Sequence, residues 1–274
     1  MTVTMNWGLV CNPSVKRSIT LAKDVVEFLQ QHGNVLVEEA IASEIQQKGV
    51  SFKEINKHAD IVVTIGGDGT ILMAMSEIEK PVFAINSGGI GFLSEVESKY
   101  AMEGLKQIIA GKYNVEERAK LKITLDGNRL PDATNEVTIQ TARIAKILYL
   151  KLFVDDELIE SMGADGVIIA TPTGSTSYSL SVGGPIMDPT VNAMIIAPLA
   201  AFKLSARPWI VPLDRKVGVH LLPKSKETNL VIDGRFQTPV TPESAIIVTG
   251  SEKKARFIRF GETFYQMVRL KLMR

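Results

Sequence analysis

The segment IVVTIGGDGTILMAM, residues 61–75, decides the fold. Ile61–Ile65 is an unbroken β-branched run, the composition of a strand covered on both faces. Gly66, Gly67, Asp68 and Gly69 follow, and a helical apolar pattern starts near Thr70. A buried strand that bends through glycine into a helix points backbone N–H groups and the positive end of the helix dipole at the bend, which favours phosphate. The glycines allow positive φ and a close approach of ligand to backbone. Asp68 is the odd member, because a carboxylate in such a turn repels phosphate unless it holds a hydroxyl or a hydrated magnesium ion. An ordinary Asp-Gly turn with a helix cap is the plain alternative. The loop is not a Walker motif, since no Gly-Lys-Ser/Thr follows, and it is not G-x-G-x-x-G.

On either side of this segment, strands and helices alternate. WGLVC (7–11) reads as a strand. Val15–His32 reads as a helix, with Ile19, Ala22, Val25, Val26 and Leu29 at helical spacing before Gly33 stops it. VLVE (35–38) and PVFAIN (81–86) read as strands, EEAIASEIQQ (38–47) and Tyr100–Ala110 as helices. Such alternation predicts a parallel sheet with helices on its faces. From about residue 118 the pattern changes to short apolar or alternating runs: Leu121–Leu125, Asn135–Thr141, Ile147–Val154, Val167–Ala170, Trp209–Val211, Val217–Leu222, Leu230–Ile232, Ala245–Thr249 and Phe257–Phe260. Turn-forming clusters separate them, and Asp155-Asp156 marks a hairpin. The predicted class is α/β plus all-β. An α/β nucleotide-binding domain covers 1–118, a β-rich domain covers 119–254, and 255–274, with TFYQMVRLKLM, returns to the first.

Composition narrows the function. In 274 residues, 31 basic and 30 acidic side chains leave a net charge of +1. That balance exerts no general pull on nucleic acid or anionic membrane, so an anionic ligand needs a local site. One cysteine, Cys11, excludes an internal disulfide framework and a multi-cysteine zinc site, and reads as a small buried hydrophobe. The amino terminus has no signal-peptide pattern, and no window reaches eighteen uninterrupted apolar residues. The expectation is a cytoplasmic protein.

Three further segments carry chemistry. INSGGIGFL (85–93) follows an apolar strand, and its Gly88, Gly89 and Gly91 permit close approach while Phe92 supplies a flat apolar face. It would open beside the first loop at the carboxyl edge of the sheet, where α/β proteins bind ligands. GADGVIIATPTGSTSYSLSVGGPIMDP (163–189) runs from a strand through Pro172 into Thr173, Gly174, Ser175, Thr176, Ser177 and Tyr178. Small hydroxyls can grip ribose and amide groups, and Tyr178 can stack on a purine or nicotinamide ring. A polar surface loop with one packed tyrosine is the plain alternative. Asn135-Glu136 heads an alternating strand and, alone, would read as solvated surface. G-x-S-x-G is absent and His32, His58 and His220 form no triad spacing, which argues against serine hydrolysis.

Together, GGDGT (66–70), Asn135-Glu136 and DGVIIATPTGSTSYSLSVGGPI (165–186) closely resemble the NAD kinases, in order and separation, from about Asp60 to Pro212. GGDGT alone is shared with diacylglycerol and sphingolipid kinases and, in similar form, with phosphofructokinases. The resemblance implies a Rossmann-like (phosphofructokinase-like) amino-terminal domain and a β-sandwich-like second domain. It implies transfer of phosphate from ATP, or another donor such as polyphosphate, to the adenosine ribose of NAD, with a divalent ion, Mg²⁺ being expected. Asp68 would orient or deprotonate the hydroxyl, with Gly69 as its ribose-side neighbour and Gly66, Gly67 and Thr70 completing the phosphate-donor loop. Phe92 would flank the dinucleotide. Asn135 and Glu136 would hold the adenosine portion, Asp165 the nicotinamide half, and Thr173 with Thr176, Ser177, Tyr178 and Ser181 would line the groove. Lys146 and Arg235 fall where many members carry a polar or basic contact. Members are usually homodimers or homotetramers with the dinucleotide site near a subunit interface.

Two positions depart from the family. Gly163 stands where many bacterial members carry Arg, which would loosen discrimination between NAD and NADH, and Asp188 replaces a common His. Rival readings are a kinase of a lipid or small alcohol, a non-catalytic NAD-binding module, and a dehydrogenase. The first lacks a membrane-binding segment, the second has no use for Asp68, and the third lacks a nucleotide fingerprint.

Overall fold

The alternation read around residues 61–75 becomes a parallel sheet in the computed structural model, which describes residues 5–88, 91–143, 145–225, 227–261 and 263–272. Gly89 lies outside them. The chain divides into two units, Met1–Glu117 with Ala255–Arg274, and Arg118–Lys254. In the first, β1 (Met5–Cys11), α1 (Lys16–Gln30), β2 (Gly33–Glu38), α2 (Glu39–Ala42), β3 (Gly49–Val50), α3 (Phe52–His58), β4 (Ile61–Gly66), α4 (Asp68–Glu77), β5 (Val82–Asn86), β6 (Val96–Glu97) and α5 (Ala101–Ile109) follow one another. The strands pair in parallel in the order β3-β2-β1-β4-β5, with β6 beyond β5.

This is the doubly wound order, and it has its reversal between β1 and β4. The chain leaves β1 in one direction to build β2 and β3, then returns to add β4 and β5 on the other side. Ligands of such sheets bind at the carboxyl edge of that reversal, and the Gly66–Thr70 loop sits there. Both faces are covered, which explains the unbroken apolar strands. Leu9, Val63 and Ile65 pack with Val25 and Leu29 of α1 and Leu105 of α5. Their neighbours Val10 and Val62 face the other way, onto Ile55 of α3 and Ile71 and Met75 of α4. The helix expected over 38–47 stops after Ala42. Gln46 turns left-handed at φ 55°, and Gln47 N–H closes the end on the Ala42 carbonyl. Helix α3, which sequence reading passed over, starts on a capping box between Ser51 and Glu54. Cys11 is fully buried, and burial pushes its thiol up to about 12, as expected of an inert core residue.

The second unit is built of β7 (Asn114–Leu125), which crosses into it, then β8 (Asn128–Arg129), β9 (Glu136–Thr141), β10 (Leu148–Val154), β11 (Glu157–Ala164), β12 (Gly166–Ala170), α6 (Tyr178–Ser181), β13 (Ala193–Leu199), β14 (Trp209–Pro212), β15 (Val217–Leu221), β16 (Thr228–Ile232), β17 (Phe236–Val240) and β18 (Ile246–Arg259). One antiparallel sheet runs β14-β13-β12-β9-β16-β17, and a second joins β11, β10, β15 and the first part of β18. Inward residues of both, such as Val137, Ile139, Leu150, Val167, Val219 and Val248, form one core.

Strands of the second unit also depart from the sequence reading. The two short runs at 245–249 and 257–260 are ends of one strand, β18, whose polar middle Gly250–Lys254 hid its continuity. β13 was missed because Pro198 breaks the pattern. That proline is tolerated because β14 pairs only as far as Ile196, so Pro198 meets a neighbour strand on one side alone. β17 was missed for its alternating polar residues. The terminal run forms α7 (Phe264–Leu272), which belongs to the first unit. No helix of the described residues is long and apolar enough to cross a membrane.

Candidate active site

Asp68 is the first residue of α4, and Gly67 precedes it in extended conformation with no side-chain cap. None of Gly66, Gly67 and Gly69 has positive φ, so the expectation of left-handed glycines here is corrected: the glycines supply room. A Cβ on Gly67 or Gly69 would meet no atom within 4 Å, which leaves the loop's outer side open to a ligand. Thr70 is buried beneath it.

The carboxylate of Asp68 is half-buried and reaches across to the second glycine loop. Phe92 N–H donates to its Oδ2 at 2.8 Å and Leu93 N–H to its Oδ1 at 3.2 Å. Gly91 must be glycine for this to happen, since a Cβ there would stand 2.6 Å from Asp68 Oδ1. The second loop is pinned in turn. Ser87 N–H donates to the Gly66 carbonyl at 3.2 Å, and Arg259 donates to the Leu93 carbonyl and to Glu95. Lys271 of α7 donates to the Gly91 carbonyl and lies over the half-buried ring of Phe92. Beside the loop is a cavity of about 900 Å³, lined by Arg17, Ser87, Glu95, Tyr100 and Phe260 among others.

In the second unit, Asn135 and Glu136 are buried at the start of β9. The strand after them pairs Glu136 with Ala170, so the Thr171–Ser177 turn lies alongside. Thr171 N–H donates to the Asn135 carbonyl at 2.8 Å, and Thr171 Oγ1 to the Thr134 carbonyl at 2.7 Å. Gly174 allows this contact, because a Cβ there would stand 2.2 Å from the Asn135 carbonyl oxygen. Ser177 Oγ donates to Glu136 Oε1 at 3.5 Å. Asn135 Oδ1, Glu136 Oε2 and Thr173 Oγ1 are buried, and none meets a protein partner among the described residues. Buried polar atoms of native proteins are nearly always satisfied by protein, water or ligand, so this trio is left to meet water or a ligand. Burial first, and then the charge of Asp233, push Glu136 up to about 7, against the lowering effect of the Ser177 hydroxyl and the Tyr178 amide.

The sequence-selected residues of this unit fall into two groups. Asn135, Glu136, Thr173, Thr176, Ser177 and Tyr178 stand together. Thr176 Oγ1 is spent on the Thr173 carbonyl, and Tyr178 and Ser181 are exposed on α6. Arg235 is exposed in the β16–β17 turn beside Glu136. Asp165, Gly163 and Lys146 gather at the other end of β9. Thr141 N–H donates to the Asp165 carbonyl at 2.9 Å, and Gly163 pairs with Tyr149 just after the exposed Lys146. Five residue steps along β9 separate the groups by about 16 Å. Asp188 accepts from Thr190 N–H and Oγ1, a local turn. Sequence reading missed Asp233 and Lys271, which hold parts of these sites. The Asp-Gly pair at 233–234 was the one available signal for the former.

A glycine-rich strand-to-helix turn at the reversal of a doubly wound sheet, with the polar cluster of Asn135, Glu136 and Thr173 in the second unit, fits a nucleotide-binding protein of two units. The ATP-NAD kinase N-terminal domain model matches residues 7–113 and the ATP-NAD kinase C-terminal domain model residues 134–260. An NAD kinase of Methanothermobacter thermautotrophicus is 41% identical, over 98% of this chain and 96% of its own length. The crystal structure of yeast NADH kinase complexed with NADH has a TM-score of 0.91 at 26% identity, covering 98% of this chain and 87% of that one. An NAD kinase from Archaeoglobus fulgidus, in complex with ATP, shares the fold with a TM-score of 0.77 at 24% identity, over 97% and 99% of the two chains. The chain belongs to the NAD kinase family.

Proposed function

We propose that this chain transfers the γ-phosphoryl group of ATP to the 2′-hydroxyl of the adenosine ribose of NAD, giving NADP and ADP. The O2′–H bond and the β,γ-bridging P–O bond break, an O2′–P bond forms, and the proton leaves to Asp68 or to water. Such transfers pass through a loose transition state, so positioning outweighs proton abstraction. The observation that carries the reading is the attitude of Asp68. Its two oxygens each accept one amide of the second loop, which fixes the carboxylate in a turn otherwise suited to anions and leaves each oxygen able to accept again. A ribose hydroxyl is the group that such an acceptor would orient, with Gly69 at its side.

The first unit would serve the donor, with its phosphates at Gly66, Gly67 and Thr70, and the 900 Å³ cavity is large enough for a nucleoside. Among the described residues no three His, Cys, Asp or Glu side chains gather as a metal cage, so Mg²⁺ would enter as the counter-ion of the triphosphate. In the second unit Asn135, Glu136 and Thr173 would grip the adenosine, with Ser177, Tyr178, Ser181 and Arg235 along the groove. Asp165, Gly163 and Lys146 lie beyond the other end of β9, about 16 Å from that pair, and would not share the adenosine grip. A homodimer or homotetramer, in which a second copy brings them to the nicotinamide half, accounts for the separation.

Incubation with ATP, Mg²⁺ and NAD, followed by an NADP-specific dehydrogenase, tests the activity. NADP formed in proportion to protein supports it, and none formed from ATP, other triphosphates or polyphosphate refutes it. Replacing NAD by NADH, with the NADPH formed read by an NADPH-specific reductase, and comparing the chain with Gly163→Arg, reads out the effect of Gly163.

A further inference from the structure

Asp233 takes no part in the residues so far assigned to substrate, yet it makes an unusually complete set of hydrogen bonds with them. Its Oδ2 accepts Thr134 N–H at 2.8 Å, and its Oδ1 accepts Asn135 N–H at 2.8 Å and Glu136 N–H at 3.0 Å. Its own N–H donates to the Glu136 carbonyl at 3.0 Å. Four hydrogen bonds therefore tie one residue of the β16–β17 turn to three consecutive residues that lead into β9. All of them go to backbone. The Asn135 Oδ1 and Glu136 Oε2 atoms are left without a protein partner among the described residues.

A hairpin turn does not require this arrangement. Asp233 and Gly234 are both left-handed, with φ of 49° and 65°, a conformation that asparagine and glycine satisfy as well as aspartate. The turn therefore accounts for a small polar residue at 233 but not for two carboxylate oxygens aimed at three amides. Burial raises the Asp233 pKa, while the three amides and Lys120 pull it down, so the protein sets charge-assisted hydrogen bonds against the cost of burying the carboxylate. Gly174 bounds the same backbone from the other side, with no room for a Cβ against the Asn135 carbonyl. The Asn135–Glu136 backbone is thus held between two neighbours while its side chains stay available.

We propose that Asp233 is a positioning residue for the acceptor: by holding the amides of Thr134, Asn135 and Glu136 it fixes the direction in which the Asn135 and Glu136 side chains meet the dinucleotide. The proposal rests on the reading that this pair binds NAD. Supporting atoms of this kind set binding geometry through residues that touch the ligand.

The test uses Asp233→Asn, which keeps the turn but turns one acceptor oxygen into a donor facing amide donors. KM for NAD should rise about 10- to 100-fold, while kcat at saturating NAD and KM for ATP stay within about threefold. Asp132→Asn is the control for a merely structural carboxylate. Asp132 is buried in the same unit, accepts from Arg129 and Ser251, and is assigned to neither substrate. It should lower Tm without separating KM for NAD from kcat. If Asp233→Asn changes Tm but leaves KM for NAD as unaffected as the control does, the positioning role is overturned. Asn135→Ala and Glu136→Gln separate the two layers of inference. If neither raises KM for NAD, the reading of the pair fails and this inference with it; if both raise it and Asp233→Asn does not, only this inference fails. Should Asp233→Asn not fold, amide hydrogen exchange on the unaltered protein decides. Protection of Thr134, Asn135 and Glu136 equal to that of the β9 interior supports the clamp, and exchange at the rate of an exposed loop overturns it.

Discussion

Raising the pH from 6 to 8 should tighten NAD binding about tenfold through one side chain, Glu136. The perturbation follows from its surroundings. Burial and the neighbouring Asp233 hold the free protein's Glu136 up to about 7, whereas a bound adenosine that donates a hydroxyl or amino hydrogen to it favours the carboxylate. At pH 6 about one-tenth of the free protein then has Glu136 ionised, and at pH 8 about nine-tenths, which sets the tenfold ratio of affinities. At pH 7 about half a proton should leave per NAD bound. Isothermal titration calorimetry in two buffers of different ionisation enthalpy measures both numbers, and NAD without ATP avoids titration of the triphosphate. Glu136→Gln should abolish the pH dependence. The same group sets a stability trend of defined sign. Its folded pKa lies above the ordinary value of 4.5, so between those values the folded protein keeps a proton that the unfolded chain has lost, and stability falls as pH rises. The shift from 4.5 to about 7 corresponds to about 3 kcal/mol lost by pH 8 and largely restored in Glu136→Gln without NAD. Affinity that is flat between pH 6 and 8, or an equal slope in Glu136→Gln, would show that Glu136 neither titrates there nor meets the ligand.

Other substitutions probe the rest of the site. Asp68→Asn should lower kcat about 10²–10⁴-fold with NAD affinity within about an order of magnitude, read by steady-state kinetics and calorimetry. Gly91→Ala places a Cβ 2.6 Å from Asp68 Oδ1 and should displace the carboxylate. A fall in kcat of about tenfold or more is expected, with KM for NAD little changed; unchanged turnover would mean that the Asp68 pose is not needed. Mixing inactive Glu136→Ala and Asp165→Ala proteins under conditions that exchange subunits should restore activity, to about a quarter of normal for random dimers with one intact site in each mixed pair. No recovery, in a protein shown to exchange, would place both residues in one chain's site or remove Asp165 from it.

The parallel sheet was legible because its strands are buried on both faces. Ile61–Ile65 and Val82–Ile85 carry no alternation, and helical spacing in α1 and α5 names the covering layers. The second unit was legible as β-rich, but its strands were less so. β13 carries a proline, β17 alternates with polar residues, and β18 hides a polar centre, because an antiparallel strand with one wet face or an unpaired stretch does not need a continuous apolar signature. At the site, glycine and hydroxyl-rich motifs stood out from their types alone, as Asp68 did for its sign in an anion-favouring turn.

What the sequence determined by itself was which segments are strands or turns, and which residue types are out of place unless they do chemistry, since propensity and local charge act over a few neighbours. Tertiary structure alone decided that Asp68 meets Phe92 and Leu93, that Asp233 meets Thr134 to Glu136 about a hundred positions earlier, and that Asp165 stands a strand's length from Glu136. The reason is physical: hydrogen bonds between distant segments depend on how strands are ordered in the sheet, and no local pattern encodes that order.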